Sequence, residues 1–471
     1  MGRWQRAVRM VAAAAAAGVV VAGLVACEPL PPPAEGSTLI GCERAGERLV
    51  VTESSHLDPA CTYTLGLDVT ASGVTLDCQG AVVRSAAGAG GVGIRVASPV
   101  DVPLSDVTVR NCHVEGFLNS LRVTRDGFRT LPEGVEYENG TSDVVVERSS
   151  FQGSRGVGIF VDGYVEGVTI RDNRVEGAGS SGIYLETGSR RSLVEGNVLR
   201  ANGYRENGPG GQAFSFEGAD LWFWGIGREG VSVDGSYENT IRDNAFLENS
   251  AGGIFLYKNC GEYPDRPAYF ERRYPSEDNL IEGNTFLGGT NGVWVGSRMG
   301  ENTLPMDCTD PAYIDEPLRR VVLDRAANNT VRANRCVDVT YGVRVEDDGN
   351  RVEANTFEGA APDRHAVIVG TPLRTTVLGQ PVSGTTLVDN TSTIADNAHP
   401  YRWVTGQVGT VESGNTANGV PAPLCEGVEP PRSLFIFVVA VAPANPDGTP
   451  PPPPDDLTLP TLGALPPCAT G

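Results

Sequence analysis

The chain has 471 residues, and 58 acidic side chains outnumber 37 Lys and Arg, giving a formal net charge of −21 at pH 7. This charge repels nucleic acid and anionic membrane surfaces, so we expect no nucleic-acid partner. The 59 glycines indicate a fold with many tight turns.

The first 26 residues have the features of a signal peptide. Arginines near the start precede an apolar run over residues 10–26. The run ends at Leu24-Val-Ala-Cys27, which resembles the lipobox of bacterial lipoproteins and implies lipidation of Cys27. Cleavage there removes three arginines and no acid, so the net charge moves from −21 to −24. We expect an exported chain, anchored to a membrane only through Cys27; the alternative is secretion without lipid.

A segment of about two dozen residues then recurs along the chain. Each copy has a glycine followed by a short run with alternating apolar residues, as in Gly158–Gly163, Gly182–Glu186, Gly230–Gly235, Gly253–Lys258, Gly292–Val295 and Gly342–Glu346. Alternation with a period of two predicts strands, and a fixed short period predicts a solenoid. The repeat therefore predicts an all-β fold, a parallel β-helix whose coils stack into one long core.

A second phrase follows most of these strands and ends in asparagine. We expect these asparagines to occupy one corner of the coil, because Asn tolerates a left-handed backbone and bonds to its neighbours. We interpret the set as structural: Asn111, Asn173, Asn197, Asn244, Asn284, Asn334, Asn355 and Asn390.

The pattern predicts four regions. The signal peptide (1–26) and a proline-rich tether (27–41) precede the β-helix (42–415), and a cap with a proline-rich tail follows (416–471). Insertions interrupt the coils near residues 204–228, 262–278 and 301–327. Such insertions are loops, often on the binding face of a solenoid. The apolar stretch 434–442 caps the last coil or adds a strand.

Nine cysteines remain after Cys27, and an exported chain meets an oxidising compartment. Proximity and flanking loops make three pairs plausible: Cys42 with Cys61, Cys260 with Cys308, and Cys425 with Cys468. Cys336 occupies an inward strand position, so we expect a free thiol in the core. No spacing resembles a zinc site.

Two columns of outward side chains follow from the strand alignment. The first contains Arg95, Arg122, Phe160, Tyr184, Ser232, Phe255, Trp294 and Arg344. Aromatic faces pack against sugar rings, so we predict that Phe160, Tyr184, Phe255 and Trp294 bind a polysaccharide. The alternative is that these rings stack only to stabilise the sheet.

The second column contains the acids Asp162, Glu186 and Asp234, about 5 Å apart from coil to coil. Like charges in register destabilise a sheet, so a cation, a basic side chain or protonation must offset them. Oxygen ligands favour calcium, and we predict these three residues as its ligands. They are alternatively solvated surface acids, or a glycosidase pair of one acid and one base.

Lys258 is the single lysine, since the other 36 basic residues are arginines. A lysine can lose its proton when its neighbours lower its pKa, which arginine practically cannot. We predict that Arg272, Arg273 and Arg298 converge on Lys258 and hold a substrate carboxylate while Lys258 removes the neighbouring proton. Arginine or calcium then stabilises the enolate, and Tyr257 or Tyr263 returns the proton to the leaving oxygen. The alternative is an ordinary exposed lysine.

The repeat region resembles the right-handed parallel β-helix proteins of the pectin-lyase-like superfamily. Val74-Thr-Leu-Asp-Cys-Gln-Gly80 looks like their first coil, and Gly253–Asn259 and Asn239–Asn244 are similar to phrases of the alginate epimerase and periplasmic sugar-binding branches. The Asp-Pro-His triplet of the epimerases is absent, since Ala60 follows Asp58-Pro59.

This resemblance implies a lyase or epimerase acting on an acidic, uronate-containing polysaccharide. A non-catalytic carbohydrate-binding or surface structural protein and a glycosidase stay as alternatives. We expect a monomer.

Overall fold

Three long sheets of 13 strands each organise the computed structural model. The structure describes residues 30–86, 90–216, 219–261, 269–296, 303, 309–322, 325–403, 408–426, 438–445, 447 and 449–453. The chain divides into two compact units, Met1–Pro32 and Pro33–Gly471, and every described strand lies in the second.

From Ser55 onward the chain visits the first, second and third sheet in turn and then repeats the circuit; before it, the chain passes from Thr38–Ile40 in the first sheet directly to Leu49–Val51 in the third. The first sheet is parallel and consists of Thr38–Ile40, Ser55–Leu57, Thr75–Asp77, Val107–Arg110, Val144–Glu147, Thr169–Arg171, Leu193–Glu195, Thr240–Arg242, Leu280–Glu282, Thr330–Arg332, Arg351–Glu353, Thr386–Val388 and Val411–Ser413. Its strands contain the second repeated phrase, and each asparagine of that phrase follows at the corner.

The second sheet is parallel up to its last strand. It consists of Thr62–Tyr63, Val82–Arg84, His113–Glu115, Ser150–Gln152, Arg174–Glu176, Val198–Arg200, Ala245–Leu247, Thr285–Leu287, Arg335–Val337, Thr356–Gly359, Thr391–Ile394, Thr416–Ala417 and Val420–Pro421. Val420–Pro421 turns back antiparallel on Thr416–Ala417.

The third sheet contains the glycine-led strands and is parallel throughout. It consists of Leu49–Val51, Leu67–Val69, Val92–Ser98, Asn119–Arg125, Ile159–Val161, Ile183–Glu186, Glu229–Asp234, Gly252–Tyr257, Asn291–Val295, Tyr341–Val345, His365–Val369, Tyr401–Trp403 and Cys425–Glu426. The predicted all-β solenoid is confirmed, and its coils run from Thr38 to Glu426, slightly beyond the predicted 42–415.

Alternation decides which side chains form the core. In the strand Ile183–Glu186, Ile183 and Leu185 are fully buried, whereas Tyr184 is half-buried on the outside. The same rule in every coil produces one continuous core, in which rings such as Phe246 and Phe286 stack with centroids 4.8 Å apart. Burying one such side chain contributes about 1.5–3 kcal/mol, and no coil can do so without its neighbours.

An asparagine ladder closes one corner of the coils, as predicted. Each Oδ1 accepts the backbone N–H and the Nδ2–H of the asparagine one coil earlier, through Asn173, Asn197, Asn244, Asn284, Asn334, Asn355, Asn390 and Asn415. A second ladder, absent from the sequence prediction, links Asn239, Asn279, Asn329 and Asn350.

The predicted reason for the ladder was wrong in one respect. The left-handed residue is the one before each asparagine, for example Asp172 at φ 56° and Ala333 at φ 53°. Asn111 itself has φ 56° and donates to the Asp77 carboxylate, so it lies beside the ladder position and does not belong to it. The ladder asparagines serve as hydrogen-bonding groups, since their own backbone is not left-handed.

Two disulfides cross-link the N-terminal coils. Cys42 bonds Cys61, as predicted, and Cys78 bonds Cys112, which was not predicted. Cys336 is a buried free thiol, as expected. Cys260 and Cys425 are also disulfide-bonded, and their predicted partners Cys308 and Cys468 lie outside the described residues.

The first insertion forms a hairpin of Gln212–Phe216 and Ala219–Gly225, and the C-terminal strand Val438–Pro443 pairs antiparallel with its second arm. The apolar tail therefore adds a strand, the second of its two predicted roles. A further hairpin joins Ile314–Glu316 to Arg319–Val321. Short helical turns occupy Cys42–Arg44, Phe128–Thr130 and Leu373–Val377. Within the described ranges, no helix has the length and apolar character that a membrane crossing requires.

Candidate functional site

The first outward column of the third sheet is in register, as predicted. Backbone pairing aligns neighbouring coils in the order Asp68, Arg95, Arg122, Phe160, Tyr184, Ser232, Phe255, Trp294 and Arg344. Successive members are neighbours across strands about 4.8 Å apart, so residues distant in sequence form one linear array.

The middle of this column, from Ser232 to Trp294, is buried, whereas its N-terminal members are partly exposed. Phe160 and Tyr184 are half-buried, with ring centroids 5.4 Å apart, and the Arg122 guanidinium lies 5.2 Å from the Phe160 ring centroid. These two rings keep the exposure that contact with a sugar requires.

The predicted roles of Phe255 and Trp294 as surface platforms are corrected. Both are fully buried, and they form a second apolar cluster with Ile226, Ala251 and Tyr257. Ile226 belongs to the first insertion, which folds over the outward face of the sheet at these coils. The rings therefore anchor the insertion, since they have no surface left for a ligand.

Basic side chains offset the acidic row. Arg122 donates to both carboxylate oxygens of Asp162, and Arg272 pairs with Glu186 at 2.8 Å. Asp234 accepts hydrogen bonds from the Tyr184 hydroxyl. The predicted ways to offset these charges were a cation, a basic side chain or protonation. The structure shows a basic side chain for Asp162 and for Glu186.

Calcium binding at these carboxylates stays a prediction, and this arrangement does not fit it. Among the described residues, the only group of at least three potential ligands with atoms within 4.8 Å of one another is Cys42, Asp58 and Cys61. Two of these are joined in a disulfide. Asp162, Glu186 and Asp234 are instead occupied by guanidinium, hydroxyl and amide donors.

The Glu186 carboxylate is buried beside both basic and acidic groups. Burial raises its pKa above the ordinary value, Arg272 acts in the opposite direction, and the charges of Asp234 and Asp162 raise the pKa further. Such a shift, caused by burial and by identified charges, marks a candidate functional residue.

Lys258, Arg272 and Arg273, three of the four residues predicted to converge, line one small pocket together with Asp234. The pocket volume is about 10 Å³, room for about one water molecule. Lys258 is buried in an ion pair with Asp310, and its Nζ donates to Thr309 at 3.2 Å. Lys258 is thus not the ordinary exposed lysine of the alternative interpretation.

Two other predicted members of this centre have structural partners. The buried Tyr257 hydroxyl accepts a bond from Arg228 at 2.8 Å and donates to Glu229 at 3.0 Å. Arg273 pairs with Glu136 at 2.6 Å. Arg298, Tyr263 and the lipidation candidate Cys27 lie outside the described residues.

A larger cleft, which sequence analysis did not identify, lies at the open end of the column. Its volume is about 180 Å³, and its lining includes Arg95, Arg122, Thr124, Arg125, Asp126 and Arg129. We call it the arginine cleft. The strands Val92–Ser98 and Asn119–Arg125 supply one wall, and the turn Phe128–Thr130 supplies the other. The sequence does contain a signal for this cleft, because three arginines lie within the segment 122–129. This signal was not used in the sequence analysis.

The family comparison agrees with this architecture. A model described as a right-handed β-helix region matches residues 66–221 and 105–306. No curated protein sequence is significantly similar to the chain.

Among solved structures, the Dettilon tailspike protein is 16% identical, with a TM-score of 0.50 over 81% of this chain and 63% of that one. The A-module of a mannuronan C-5 epimerase from Azotobacter vinelandii is 15% identical, with a TM-score of 0.48 over 79% and 92%. An alginate lyase from a Paenibacillus species is 14% identical, with a TM-score of 0.40 over 80% and 98%.

The matched residues together span 66–306, more than half of the 471 residues. They coincide with the coils described above. The protein therefore belongs to the right-handed β-helix family.

Proposed function

We propose that the chain is an exported β-helix protein that binds an acidic, uronate-containing polysaccharide along the N-terminal members of the first outward column. One observation carries this proposal: Arg95, Arg122, Phe160 and Tyr184 occupy adjacent coils in register, and all four keep exposed surface. Stacked coils present a linear array, which suits a linear polymer. Aromatic rings offer faces to sugars, and arginines offer donors to carboxylates.

The charge of the chain makes this local site necessary. A net charge of −21 repels an acidic polymer, so attraction has to come from a basic patch. Among the residues that line the arginine cleft, four arginines face one aspartate.

Binding of polysaccharides to the wild-type chain tests the proposal. We expect measurable affinity for polyuronates and clearly weaker affinity for the same polymers after reduction of their carboxyl groups. Phe160→Ala should weaken polyuronate binding about tenfold, as expected for truncation of a central aromatic contact. Tyr313→Ala, which changes an exposed ring outside the column, is the matched control. Equal affinity for acidic and carboxyl-reduced polymers contradicts the proposal.

A second candidate function is elimination or epimerisation on the same class of polymer. The observation that favours it is the common pocket of Lys258, Arg272 and Arg273. Lys258 would first pass a proton to Asp310, and its neutral amine would then take the proton next to a uronate carboxylate. In elimination the electron pair left on that carbon forms a double bond while the bond to the glycosidic oxygen breaks, and Lys258 returns its proton to the leaving oxygen. In epimerisation a proton from water adds to the same carbon on the opposite ring face.

The Lys258→Ala variant separates binding from catalysis. If the candidate is correct, wild-type protein converts polyuronates to unsaturated or epimerised products, and the variant loses turnover while it retains affinity. Unchanged turnover removes Lys258 from the mechanism. Release of reducing ends without unsaturated products indicates instead a glycosidase that uses Asp162, Glu186 or Asp234.

We propose export with lipidation at Cys27 for the N-terminus. The Cys42–Cys61 and Cys78–Cys112 disulfides support export, because such bonds persist in oxidising compartments. Fractionation tests the anchor: Cys27→Ala should move the chain from the membrane fraction to the soluble fraction. Retention of the variant on membranes contradicts lipidation at this cysteine.

A further inference from the structure

The arginine cleft contains two buried hydrogen-bonding groups without partners. Thr124 is 3% exposed, and its hydroxyl has no hydrogen-bond partner in the part of the chain that the structure describes. Arg125 is also 3% exposed, and its Nε–H has no partner there either. Leaving a buried polar group unpaired costs about 1–3 kcal/mol. Both residues line the cleft, so a ligand that enters it lies beside hydrogen-bonding groups that the protein itself leaves unmet.

Positive charge in the cleft is only partly balanced. Arg95 pairs with Asp126, and Arg122 pairs with Asp162. Among the described residues Arg125 forms no ion pair; one of its terminal nitrogens donates to the backbone carbonyl of Glu136 at 2.7 Å. Burial lowers the pKa of Arg125 below its ordinary value, while the charges of Asp101 and Glu138 act in the opposite direction. A buried, unpaired guanidinium is costly, and an anion in the cleft relieves that cost.

Arg129 completes the set at the rim. Its guanidinium lies 4.8 Å from the Phe128 ring centroid and 5.5 Å from that of Phe270. Within the described part of the chain it has no carboxylate partner. The two rings hold the side chain by cation–π contact, so its charge is positioned without being neutralised.

We propose that the arginine cleft is a subsite for the carboxylate of a single uronate residue, held by Arg129, Arg125 and the Thr124 hydroxyl. This inference rests on the proposed function and assigns where the acid group of the polymer enters. The cleft volume of about 180 Å³ is below the roughly 300–1,000 Å³ of pockets for drug-sized ligands. The arginine cleft therefore has room for one charged sugar ring of a longer polysaccharide.

Arg122, which lines the cleft, already binds a carboxylate next to it. It donates two parallel hydrogen bonds to Asp162, the fork geometry in which guanidinium binds carboxylate most strongly. A uronate carboxylate offers the same pair of oxygens to Arg129 and Arg125. Phe160, one coil beyond Arg122 in the column, then lies beside the polymer as it leaves the cleft.

Calorimetry with a uronate oligosaccharide and its carboxyl-reduced form tests the subsite. The variants are Arg129→Gln and Thr124→Val, and Arg351→Gln is the control, since Arg351 is an exposed arginine on the first sheet. We expect Arg129→Gln to weaken binding of the acidic oligosaccharide at least tenfold and to leave the reduced form unaffected. Thr124→Val should weaken acidic binding several-fold with no loss of thermal stability, because it removes a hydroxyl that the free protein leaves unpaired.

Two results separate this inference from the proposed function. If wild-type protein prefers the acidic oligosaccharide but Arg129→Gln and Thr124→Val bind it as wild type does, the subsite is wrong and the proposed function stands. If wild-type protein prefers neither form, both are wrong. Preference for a sulfated oligosaccharide without carboxylates over the uronate also overturns the subsite.

Discussion

At the scale of single residues, Asn284 shows how the ladder stabilises the coil. It is fully buried, and its Oδ1 accepts bonds from the Asn244 backbone N–H and side-chain Nδ2, both at 3.0 Å. Its own Nδ2 donates to the Ile241 carbonyl at 2.8 Å and to the Asn334 Oδ1 at 3.0 Å. Four hydrogen bonds thus depend on one amide.

We predict that Asn284→Ala destabilises the protein by about 2–4 kcal/mol, because it leaves several buried donors and acceptors unpaired. Urea unfolding followed by circular dichroism measures the change. Asn445→Ala, in the exposed C-terminal segment, is the control and should have little effect. A loss below about 0.5 kcal/mol for Asn284→Ala contradicts the structural role of the ladder.

His365 gives the fold a predictable pH dependence. The ring is buried and stacks on Tyr341 with centroids 5.9 Å apart. Burial lowers its pKa from 6.5 to about 4, and the charge of Arg402 acts in the same direction. Between pH 6.5 and 4 the unfolded chain binds this proton and the folded chain does not. Protonation therefore favours unfolding, and stability falls as pH decreases through this window.

A variant without the His365 imidazole should lose less stability as the pH decreases. We predict that His365→Phe reduces the loss of stability between pH 6.5 and 4 by up to about 3 kcal/mol. Thermal unfolding at pH 6.5 and pH 4 checks this, with His56→Phe, a partly exposed histidine, as the control. An equal loss of stability in wild type and His365→Phe shows that another group causes the dependence.

At the scale of elements, the sequence predicts the coils well and the insertions poorly. The Gly-apolar-x-apolar pattern places Phe160 and Tyr184 in adjacent coils because side-chain direction in a strand is a local property. The direction in which an insertion folds depends on tertiary contacts, and the periodic pattern of apolar residues carries no information on them. For that reason the burial of Phe255 and Trp294 beneath Ile226 was missed.

The Cys78–Cys112 disulfide and the arginine cleft were missed for a similar reason. Cys78 and Cys112 are 34 residues apart, and only the coil geometry makes them neighbours. The cleft needs the turn Phe128–Thr130 to face the strands of the third sheet. The alternation of apolar residues gives no information on where a turn after a strand leads.

The C-terminal strand should hold the first insertion in place. Val441 pairs with Phe223 in the antiparallel sheet, and proline lacks the N–H that such a ladder uses. We predict that Val441→Pro increases hydrogen exchange at least tenfold in residues 219–225 and leaves exchange in the third sheet unchanged. Mass spectrometry of peptides after exchange measures both. Unchanged protection of residues 219–225 means that the hairpin does not depend on this strand.

At the scale of the whole molecule, the stacking of coils brings single arginine and aromatic side chains from different coils together into one proposed binding site. Adjacent coils bring Arg122 beside Phe160 and Phe160 beside Tyr184. The insertion that contains Ile226 covers Phe255 and Trp294, whereas Phe160 and Tyr184 stay partly exposed.

A second groove allows a sharp test of where the polymer binds. It lies on the outward face of the second sheet, has a volume of about 530 Å³ and is lined in part by Val198, Leu247 and Leu287. Its apolar lining offers contact area but fewer donors for carboxylates than the arginine cleft. We therefore expect the acidic polymer to bind at the third sheet.

Hydroxyl-radical footprinting of side chains, with and without a uronate oligosaccharide, tests this assignment most directly. We predict that the oligosaccharide reduces oxidation of Phe160 and Tyr184 and leaves Leu247 and Leu287 unchanged. Protection of Leu247 and Leu287 with no protection of Phe160 would contradict the account.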